Sequence, residues 1–476
     1  QPYFNWLEVR LSTVKVRGHL HLVILRRMHQ DDGARSSIKM FANIFISFIG
    51  AGILGMPHAF KEAGVIEGSA IMALIGTLSV KAMLLIIDCK KKLTWKKRDH
   101  VKGAVISVDG KVASEEKELL KAAESGEVTD KVMEDGVDDL LVSIDKIMAF
   151  VTLMPTHSMA SVSQMLQSAA HEIDYGDLGF HALGNSGRAL VDTSIVISQI
   201  GFSCAYLIFI SDTLNNMLPV LSKHQYLMTL LPPLAVLVNF RHLKKLAIFS
   251  LFADFANVFA YCVVFWFDFA HFEKVKIHPQ IARISGLPFF LGVAIYCYEG
   301  AGLILSLEAS CARDSRDKFR SVFKLTLFLV TTLYIAFGVC GYLSFGENTQ
   351  QMITLNLPLG PFPAVVQLCL CFSLFFTYPI MMFPVVLLLE KKLLPDGGKS
   401  SYYQGTVLRA CVVVLSGIVV LVIPNFSTLM AFFGSSCCTL LGFVLPGIFH
   451  LRIFEGHLTK GEWFIDILII FLGLVG

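Results

Sequence analysis

Charged residues are scarce in this chain. They make up 16% of its 476 residues, against roughly 25% in an ordinary soluble domain. Hydrophobic residues reach 54%, and the mean hydropathy is +0.64. A soluble protein of this length would form two or three domains with polar surfaces, and too few charges are present to cover them. The composition excludes a soluble enzyme, a DNA-binding protein and a disordered chain, and it indicates a multi-pass helical membrane protein.

Motifs for catalysis and for cofactors are also missing. None of the 11 cysteines forms a C-x-x-C pair, and the histidines form no H-E-x-x-H motif. The sequence has no Ser-His-Asp arrangement, no dinucleotide fingerprint and no phosphate-binding glycine loop. We therefore expect no enzyme, no bound cofactor or metal, and no nucleic-acid partner.

Long apolar runs, by contrast, are abundant. A helix that crosses a bilayer needs about 20 apolar residues, and eleven runs approach or exceed that length. They predict an all-α protein with eleven transmembrane spans, at residues 38–60, 66–89, 189–218, 225–240, 246–269, 286–308, 321–346, 361–389, 405–423, 427–450 and 462–476.

The distribution of lysine and arginine predicts how these spans are oriented. Cytoplasmic loops of membrane proteins carry an excess of positive charge. One set of loops holds fifteen Lys and Arg residues, and the opposite set holds five. The richer set lies at 90–98, 241–245, 313–320 and 391–392, and the poorer set at 61, 223, 274, 276 and 283. This pattern places the N-terminal tail, residues 1–37, in the cytosol together with the loop that follows the second span.

That loop, residues 90–188, differs in composition from the rest of the transmembrane domain at 38–476. Between Asp109 and Asp145 it carries twelve acidic residues and four lysines. Such a composition is typical of a solvated segment that is partly helical or disordered. We expect an acidic cytosolic insertion, and a regulatory docking segment is the alternative.

Glycine clusters interrupt two of the spans. The first span reads SFIGAGILGMP over residues 47–57, and the sixth reads YCYEGAGLILSLE over residues 296–308. Glycine is costly inside a helix, and proline removes a backbone hydrogen bond. Each cluster taken alone indicates either a broken helix or close packing between helices through small residues.

The two clusters are near copies, GAGIL at 50–54 and GAGLI at 300–304. Each opens a group of five spans, so the second copy enters the membrane from the opposite side. This predicts a five-plus-five inverted repeat with discontinuous first and sixth helices, non-helical around 50–53 and 298–301.

A broken helix exposes N–H groups at one stump and C=O groups at the other, which suit a carboxylate and a cation. An amino acid carries both charges, so we expect a zwitterionic ligand at the breaks. The expected substrate-binding residues are Phe48, Gly50, Ala51, Gly52, Ile53, Tyr298, Glu299, Gly300 and Ala301. Apart from Glu299, these residues offer no counter-charge to a charged substrate side chain. The lack of counter-charges favours small neutral amino acids.

Several longer segments resemble one family of transporters. They are FANIFISFIGAGILGMPHAFKEAG, DYGDLGFHALGNSGRALVDTSIVISQIGFSCAYLIFISD, YEGAGLILSLE, GYLSFGENTQQMITLNLP and FFTYPIMMFPVVLLLE. The chain resembles the amino acid/auxin permease family of the amino acid–polyamine–organocation superfamily, especially its proton-coupled and vacuolar amino acid transporters. The resemblance implies a secondary active transporter that works by alternating access in a lysosomal, vacuolar or plasma membrane. It also implies that the third and eighth helices lie beside the ligand.

Three ionisable residues, Lys81, Asp254 and Glu299, fall well inside predicted spans. A charge at the centre of a membrane helix costs roughly 2.5–3.5 kcal/mol, so each residue needs a partner or a water-filled cavity. Glu299 lies at a predicted break and is the candidate to carry a coupled proton. Lys81 and Asp254 are candidates for ion coupling or for a structural buried pair. Many proton-coupled relatives have a histidine at the position of Lys81, and lysine does not normally titrate near neutral pH.

The identity of the coupling ion has an alternative. Asn43 and Thr377 match positions that sodium-coupled members of the wider family use as oxygen ligands. We expect coupling to H+, with Na+ as the alternative. A different function is also open, namely an amino-acid sensor that signals through residues 90–188. The expected partners are a small neutral amino acid and the lipid bilayer.

Overall fold

The structure, a computed structural model, describes residues 37–122, 173–240, 247–272, 283–311, 313–358, 360–394 and 399–475. The predicted N-terminal tail and the middle of the acidic insertion lie outside the described residues. Contacts divide the chain into two compact units. One unit contains Gln1–Gly33 and Lys90–Asp174, and the other contains Ala34–Cys89 and Tyr175–Gly476. Every feature of the site below belongs to the second unit.

The described residues form helices and no β-strand. In chain order the α-helices are α1 (Ser37–Phe48), α2 (Met56–Ala63), α3 (Val65–Ala122), α4 (Tyr175–Met217), α5 (Lys223–Val238), α6 (Ala247–Phe272), α7 (Leu287–Cys297), α8 (Ala301–Ala309), α9 (Phe319–Phe345), α10 (Pro361–Leu393), α11 (Lys399–Val422), α12 (Phe426–Phe433), α13 (Leu445–Ile453) and α14 (Lys460–Val475). Each of the eleven predicted spans coincides with one of these helices or with a chain of consecutive ones.

Length and composition support the membrane assignment. Within the described residues, seven helical segments are long and apolar enough to cross a membrane, two of which join consecutive helices (α7 with α8, and α12 to α13), and the bent pair formed by α1 and α2 brings the number to eight. The predicted fold class, an all-α multi-pass membrane protein, is confirmed.

One boundary differs clearly from its prediction. Helix α4 begins at Tyr175 instead of residue 189 and bends at Gly184, where φ is +68°. Arg188 pairs with Asp177 at 3.0 Å and approaches Asp192 at 4.0 Å. These charged residues interrupt the apolar run in the sequence. Because they pair with one another along the helix, they do not terminate α4.

Both predicted helix breaks are present. Helix α1 ends at Phe48, residues Ala51–Gly55 form a 3₁₀ turn, and α2 follows at an angle of 49°. Helix α7 ends at Cys297 and α8 begins at Ala301. The first break thus consists mainly of a 3₁₀ segment, whereas the sequence predicted a non-helical backbone there.

The two broken helices run in opposite directions. Gly286, which precedes α7, packs against the backbone of Glu62 near the end of α2. The N–H of Arg283 donates to the carbonyl oxygen of Ala63 at 3.0 Å. At the break itself, the ring of Phe48 packs on Gly300. Antiparallel broken helices with adjacent breaks are what the inverted repeat predicts.

Helix α7 also meets the segment around α12 backbone to backbone. The carbonyl oxygen of Gly292 occupies the space that a Cβ at Gly434 would need, and a Cβ at Gly292 would lie 2.6 Å from the carbonyl oxygen of Ala431. Only glycine permits so close an approach. Beyond α12 the chain continues in two π-helical turns, Gly434–Cys438 and Leu440–Val444, before α13.

Candidate functional site

A small cavity of about 70 Å³ lies where the two helices break. Residues from both breaks form part of its wall, and α4, α9 and α10 form the remainder. The lining residues are Ser47, Phe48, Gly50, Ala51, Gly52, Gln199, Phe202, Tyr206, Tyr296, Cys297, Glu299, Gly300, Gly302, Leu303, Tyr334 and Met381. The wall is mainly aromatic and apolar, with a few convergent polar groups, as is typical of ligand sites.

Glu299 brings the one carboxyl group to this cavity wall. The N–H groups of Ala301 and Gly302, at the start of α8, interact with its carboxylate. These N–H groups have no partner within the helix, and the positive end of the helix dipole favours an acidic group there. The atom Oε2 is buried and has no hydrogen-bond partner among the described residues. It faces Gly442, whose Cβ would lie 3.7 Å away. Glu299 therefore lies between the cavity and the π-helical segment, and such segments are frequent at functional sites.

Tyrosine hydroxyl groups bond to the carbonyl oxygens that the breaks leave free. The hydroxyl of Tyr334 on α9 contacts the carbonyl oxygens of Phe48 at 2.5 Å and of Cys297 at 3.3 Å. The hydroxyl of Tyr261 on α6 donates to the carbonyl oxygen of Gly50 at 3.2 Å. Both C-terminal stumps, of α1 and of α7, thus present carbonyl oxygens at one place.

The structure brings together most of the residues predicted at the breaks. Phe48, Gly50, Ala51, Gly52, Glu299 and Gly300 line the cavity. Ile53, Tyr298 and Ala301 are buried beside it but do not line it. Tyr298 instead bonds through its hydroxyl to Oγ1 of Thr331 at 2.6 Å.

Lys81, Asn43 and Thr377, which were also predicted for ion coupling, do not line this cavity. Lys81 on α3 is half-buried and lies within electrostatic reach of Glu462 at the start of α14. Asp254 lies on α6, and its side chain is outside the described residues. Asn43 is exposed on α1, and Thr377 on α10 donates its hydroxyl to the carbonyl oxygen of Ser373 at 2.9 Å.

Sequence reasoning missed the cavity residues outside the two breaks. Gln199, Phe202 and Tyr206 come from α4, and Met381 comes from α10. The resemblance implied that the third and eighth helices lie here, but it named no residue on them. Gln199, Phe202 and Tyr206 are three and four residues apart, so they lie on one face of α4. Many other apolar positions in the sequence have the same spacing, so the spacing alone does not identify a binding site.

Sequence reasoning also missed buried charges near the span ends. Arg409 on α11 forms a bidentate pair with Glu390 on α10, at 2.9 and 3.1 Å. Nδ1 of His450 lies 2.6 Å from Oδ2 of Asp466, which joins α13 to α14. Asp268 on α6 is 0% exposed.

Comparison with known proteins identifies the family of the chain. The family described as transmembrane amino acid transporter protein matches residues 33–105 and 142–476. Amino acid transporter AVT3C of Arabidopsis thaliana is 33% identical over 463 residues, which cover 92% of this chain and 88% of that protein. Amino acid transporter ANT1 of the same plant is 30% identical over 92% of this chain and 90% of its own. Vacuolar amino acid transporter 4 of Saccharomyces cerevisiae is 28% identical over 63% of this chain and 48% of its own.

Among solved structures, a Na+-coupled sialic acid symporter in a substrate-bound outward-open state aligns over 92% of this chain and 95% of its own. Its sequence identity is 9% and its TM-score is 0.39, values too low to bear on function. The family model and the relatives confirm the resemblance drawn from the sequence motifs. The chain belongs to the transmembrane amino acid transporter family, a family of membrane transporters and not of enzymes.

Proposed function

We propose that the protein moves small neutral amino acids across a membrane by alternating access, coupled to protons through Glu299. The observation that carries this proposal is the cavity between the two helix breaks, with the Glu299 carboxyl in its wall. Broken helices at the centre of a membrane protein are the usual location of substrate and coupling-ion sites in secondary transporters.

The groups at the breaks suit the two charges of an amino acid. The carbonyl oxygens of Phe48 and Cys297 are placed to accept hydrogen bonds from an ammonium group, as they do from Tyr334. The 3₁₀ turn Ala51–Gly55 begins at the other side of the first break, and the first N–H groups of a helix lack partners within it. These N–H groups would bind the substrate carboxylate, because Glu299 already engages those of α8.

The size and charge of the cavity favour a small, uncharged side chain. Its volume is about 70 Å³, and no lysine or arginine lines it among the described residues. Aromatic rings close it, with Phe202 against Tyr296 at a centroid distance of 4.6 Å. A lysine or glutamate side chain would have to lose its hydration there without gaining a matched partner, except for a lysine beside Glu299.

The environment of Glu299 favours a neutral carboxyl in this arrangement. An unpaired charge on the buried Oε2 atom would be costly. A proton on that oxygen removes the cost, and water that enters when the cavity opens would stabilise the ionised form. Protonation of Glu299 at Oε2 is then linked to closure of the cavity.

The burial pattern supports alternating access. All five residues of Ala51–Gly55 are buried, as are residues 292–298 leading into the second break. On the opposite side of the breaks Ser47, Gly50 and Leu303, which line the cavity, are exposed. The cavity is therefore closed toward α2 and α7 and more open toward α1 and α8. A transporter needs the reverse arrangement as well, in which α2 and α7 separate from their neighbours.

For the membrane and the orientation, we infer a vacuolar or lysosomal membrane with the N-terminus in the cytosol. The yeast relative is named a vacuolar amino acid transporter, which supports the compartment. The excess of lysine and arginine in the loops on the side of α1 supports the orientation.

Uptake by purified protein in proteoliposomes tests the proposal. An inward pH gradient should drive accumulation of alanine, glycine or proline, and an inward sodium gradient alone should not. Glu299→Gln should retain exchange of internal for external alanine but lose accumulation driven by the pH gradient. Glu308→Gln, a matched variant two turns further along α8 and away from the cavity, should retain both.

Full uptake driven by sodium alone, or pH-driven accumulation by Glu299→Gln, would overturn the proton mechanism. Lysine as the strongest inhibitor would overturn the predicted substrate class.

A further inference from the structure

A second carboxyl group, that of Asp268 on α6, is buried outside the cavity. The residue is 0% exposed, and neither Oδ1 nor Oδ2 has a hydrogen-bond partner among the described residues. The hydroxyl of Ser344 on α9 donates at 2.6 Å to the backbone carbonyl oxygen of Asp268 and not to its carboxyl group.

Among the described residues, no cationic side chain is hydrogen-bonded to this carboxyl group. Cys340 on α9 is the titratable group within electrostatic reach of it among the described residues. At the same end of the molecule Arg283 approaches Glu62 and Glu347, each at 3.9 Å. Helix α10, which also packs against α6, presents Phe362 to Phe267. An ionised carboxylate here would be a buried charge without a hydrogen-bond partner among the described residues, whereas the neutral acid is tolerated more easily.

Helix α2 approaches the carboxyl group across Gly341 of α9. A Cβ at Gly341 of α9 would lie 3.3 Å from Oδ2 of Asp268 and 2.6 Å from Cγ of Pro57 on α2. One turn further along α2, the ring of Phe60 packs on Gly338 of α9. Asp268 therefore lies at the contact between α2 and α9. This contact has to open when the cavity opens on the α2 side.

We propose that Asp268 is a second proton-binding site, and that the protein closes on the α2 side only when this carboxyl is neutral. When α2 leaves α9, water reaches the carboxyl and it releases its proton. When α2 returns, the carboxyl takes up a proton from the compartment on that side, because the charged form cannot be buried again. This inference rests on the proposed alternating access, and it adds a proton whose role is to control closure and not to accompany the substrate.

Hydrogen–deuterium exchange of the full chain in lipid nanodiscs, without substrate, tests this role. The observable is the protection of the peptides that contain α2 and the C-terminal turns of α9, corrected for the intrinsic effect of pH on exchange. In the wild type this protection should fall as pH rises, by about tenfold per pH unit once the carboxyl begins to ionise. In Asp268→Asn, which carries a neutral side chain of the same shape, protection should remain constant with pH.

Asp212→Asn is the matched control. Asp212 lies near the end of α4 and is ion-paired with Lys223 at 2.6 Å, so its replacement should leave the pH response of α2 as in the wild type. Protection of α2 that does not depend on pH in the wild type would overturn the proposal. An Asp268→Asn protein that follows the wild-type curve would overturn it too.

A measurement on the wild type covers the case in which Asp268→Asn fails to fold. Dicyclohexylcarbodiimide reacts with protonated carboxyl groups in apolar sites, and mass spectrometry should find it on Asp268 at neutral pH. An unlabelled Asp268 would contradict the neutral acid. Neither measurement needs transport, so a pH response in α2 without pH-driven uptake would refute the coupling through Glu299 and leave the role of Asp268 standing.

Discussion

The hydroxyl of Tyr334 lies 2.5 Å from the carbonyl oxygen of Phe48, the last residue of α1. The same hydroxyl is 3.3 Å from the carbonyl oxygen of Cys297, the last residue of α7. One side chain on α9 thus joins the ends of both broken helices. It occupies the position that the proposed function assigns to the substrate ammonium group.

Tyr334→Phe should lower the stability of the substrate-free protein and increase the stabilisation by substrate. Loss of one hydrogen bond costs about 1 kcal/mol, and an ammonium group would supply the donors that the phenyl ring lacks. Thermal unfolding with and without alanine measures both effects. Tyr226→Phe removes a comparable bond, from the Tyr226 hydroxyl to the Leu218 carbonyl oxygen at 2.6 Å, at an exposed turn, and it should not alter the response to alanine. An unchanged alanine response in Tyr334→Phe would contradict the overlap of the two sites.

The glycines of the first break should respond differently to substitution. A Cβ at Gly50 meets nothing within 4 Å, and its φ of −103° and ψ of −171° suit any residue. Gly50→Ala should therefore leave the unfolding temperature unchanged and weaken alanine uptake, because its methyl group projects into the open space at the break.

Gly52→Ala should instead destabilise the fold. Its Cβ would lie 2.9 Å from Sγ of Cys297, and overpacking of this kind costs about 1–3 kcal/mol. The structure places this clash between the two broken helices, since Cys297 is the last residue of α7. Comparison of uptake and unfolding temperature for the two alanine variants separates these effects. Equal loss of stability in both would contradict the assignment.

Met381→Ala should widen the range of substrates. Met381 is the residue that α10 contributes to the cavity, and its truncation would make room for a longer apolar side chain. Each additional buried methylene is worth about 0.8 kcal/mol, or roughly fourfold in affinity. Inhibition of alanine uptake by leucine should strengthen several-fold in this variant. Met228→Ala, on the exposed face of α5, should leave inhibition by leucine unchanged.

The pair of Arg409 and Glu390 should behave as a structural unit. Arg409 is 5% exposed, and besides Glu390 it donates to the carbonyl oxygen of Val238 at 2.8 Å. It thereby joins α11 to α10 and α5. Arg409→Met should destabilise the protein by about 1.5–3 kcal/mol, because it removes the charge-assisted hydrogen bonds to Glu390 and the bond to the Val238 carbonyl oxygen. The double variant Arg409→Met/Glu390→Gln should recover part of the loss. A fully additive double-mutant cycle would show that the two residues act independently.

The spans and both breaks could be predicted because their causes are local in the sequence. Apolar runs of the required length are read directly, and two nearly identical glycine clusters reveal that the chain reverses between Gly52 and Gly300. The start of α4 could not be predicted, since Arg188 becomes compatible with a helix only through its partners Asp177 and Asp192.

The walls of the candidate site depended on tertiary contacts that the sequence does not display. Glu299 was identifiable because it adjoins a break. Asp268 was not, because a carboxyl near a span end ordinarily reaches water, and its isolation arises from the packing of α2 and α9. Phe202 and Met381 are apolar residues among many, and only the packing of α4 and α10 on the breaks distinguishes them.

The glycine contacts of α7 limit how the molecule can move. Gly286 meets the backbone of Glu62 on one side, and Gly292 meets Gly434 and Ala431 on the other. No side chain lies between these backbones to bend or to change rotamer as the helices shift. Helices α2, α7 and α12 should therefore travel as a single rigid body, and the sliding surface is the boundary where α2 meets α9. The hinge of the transport cycle would then lie in the two breaks themselves, at Ile49–Gly50 and Tyr298–Gly300.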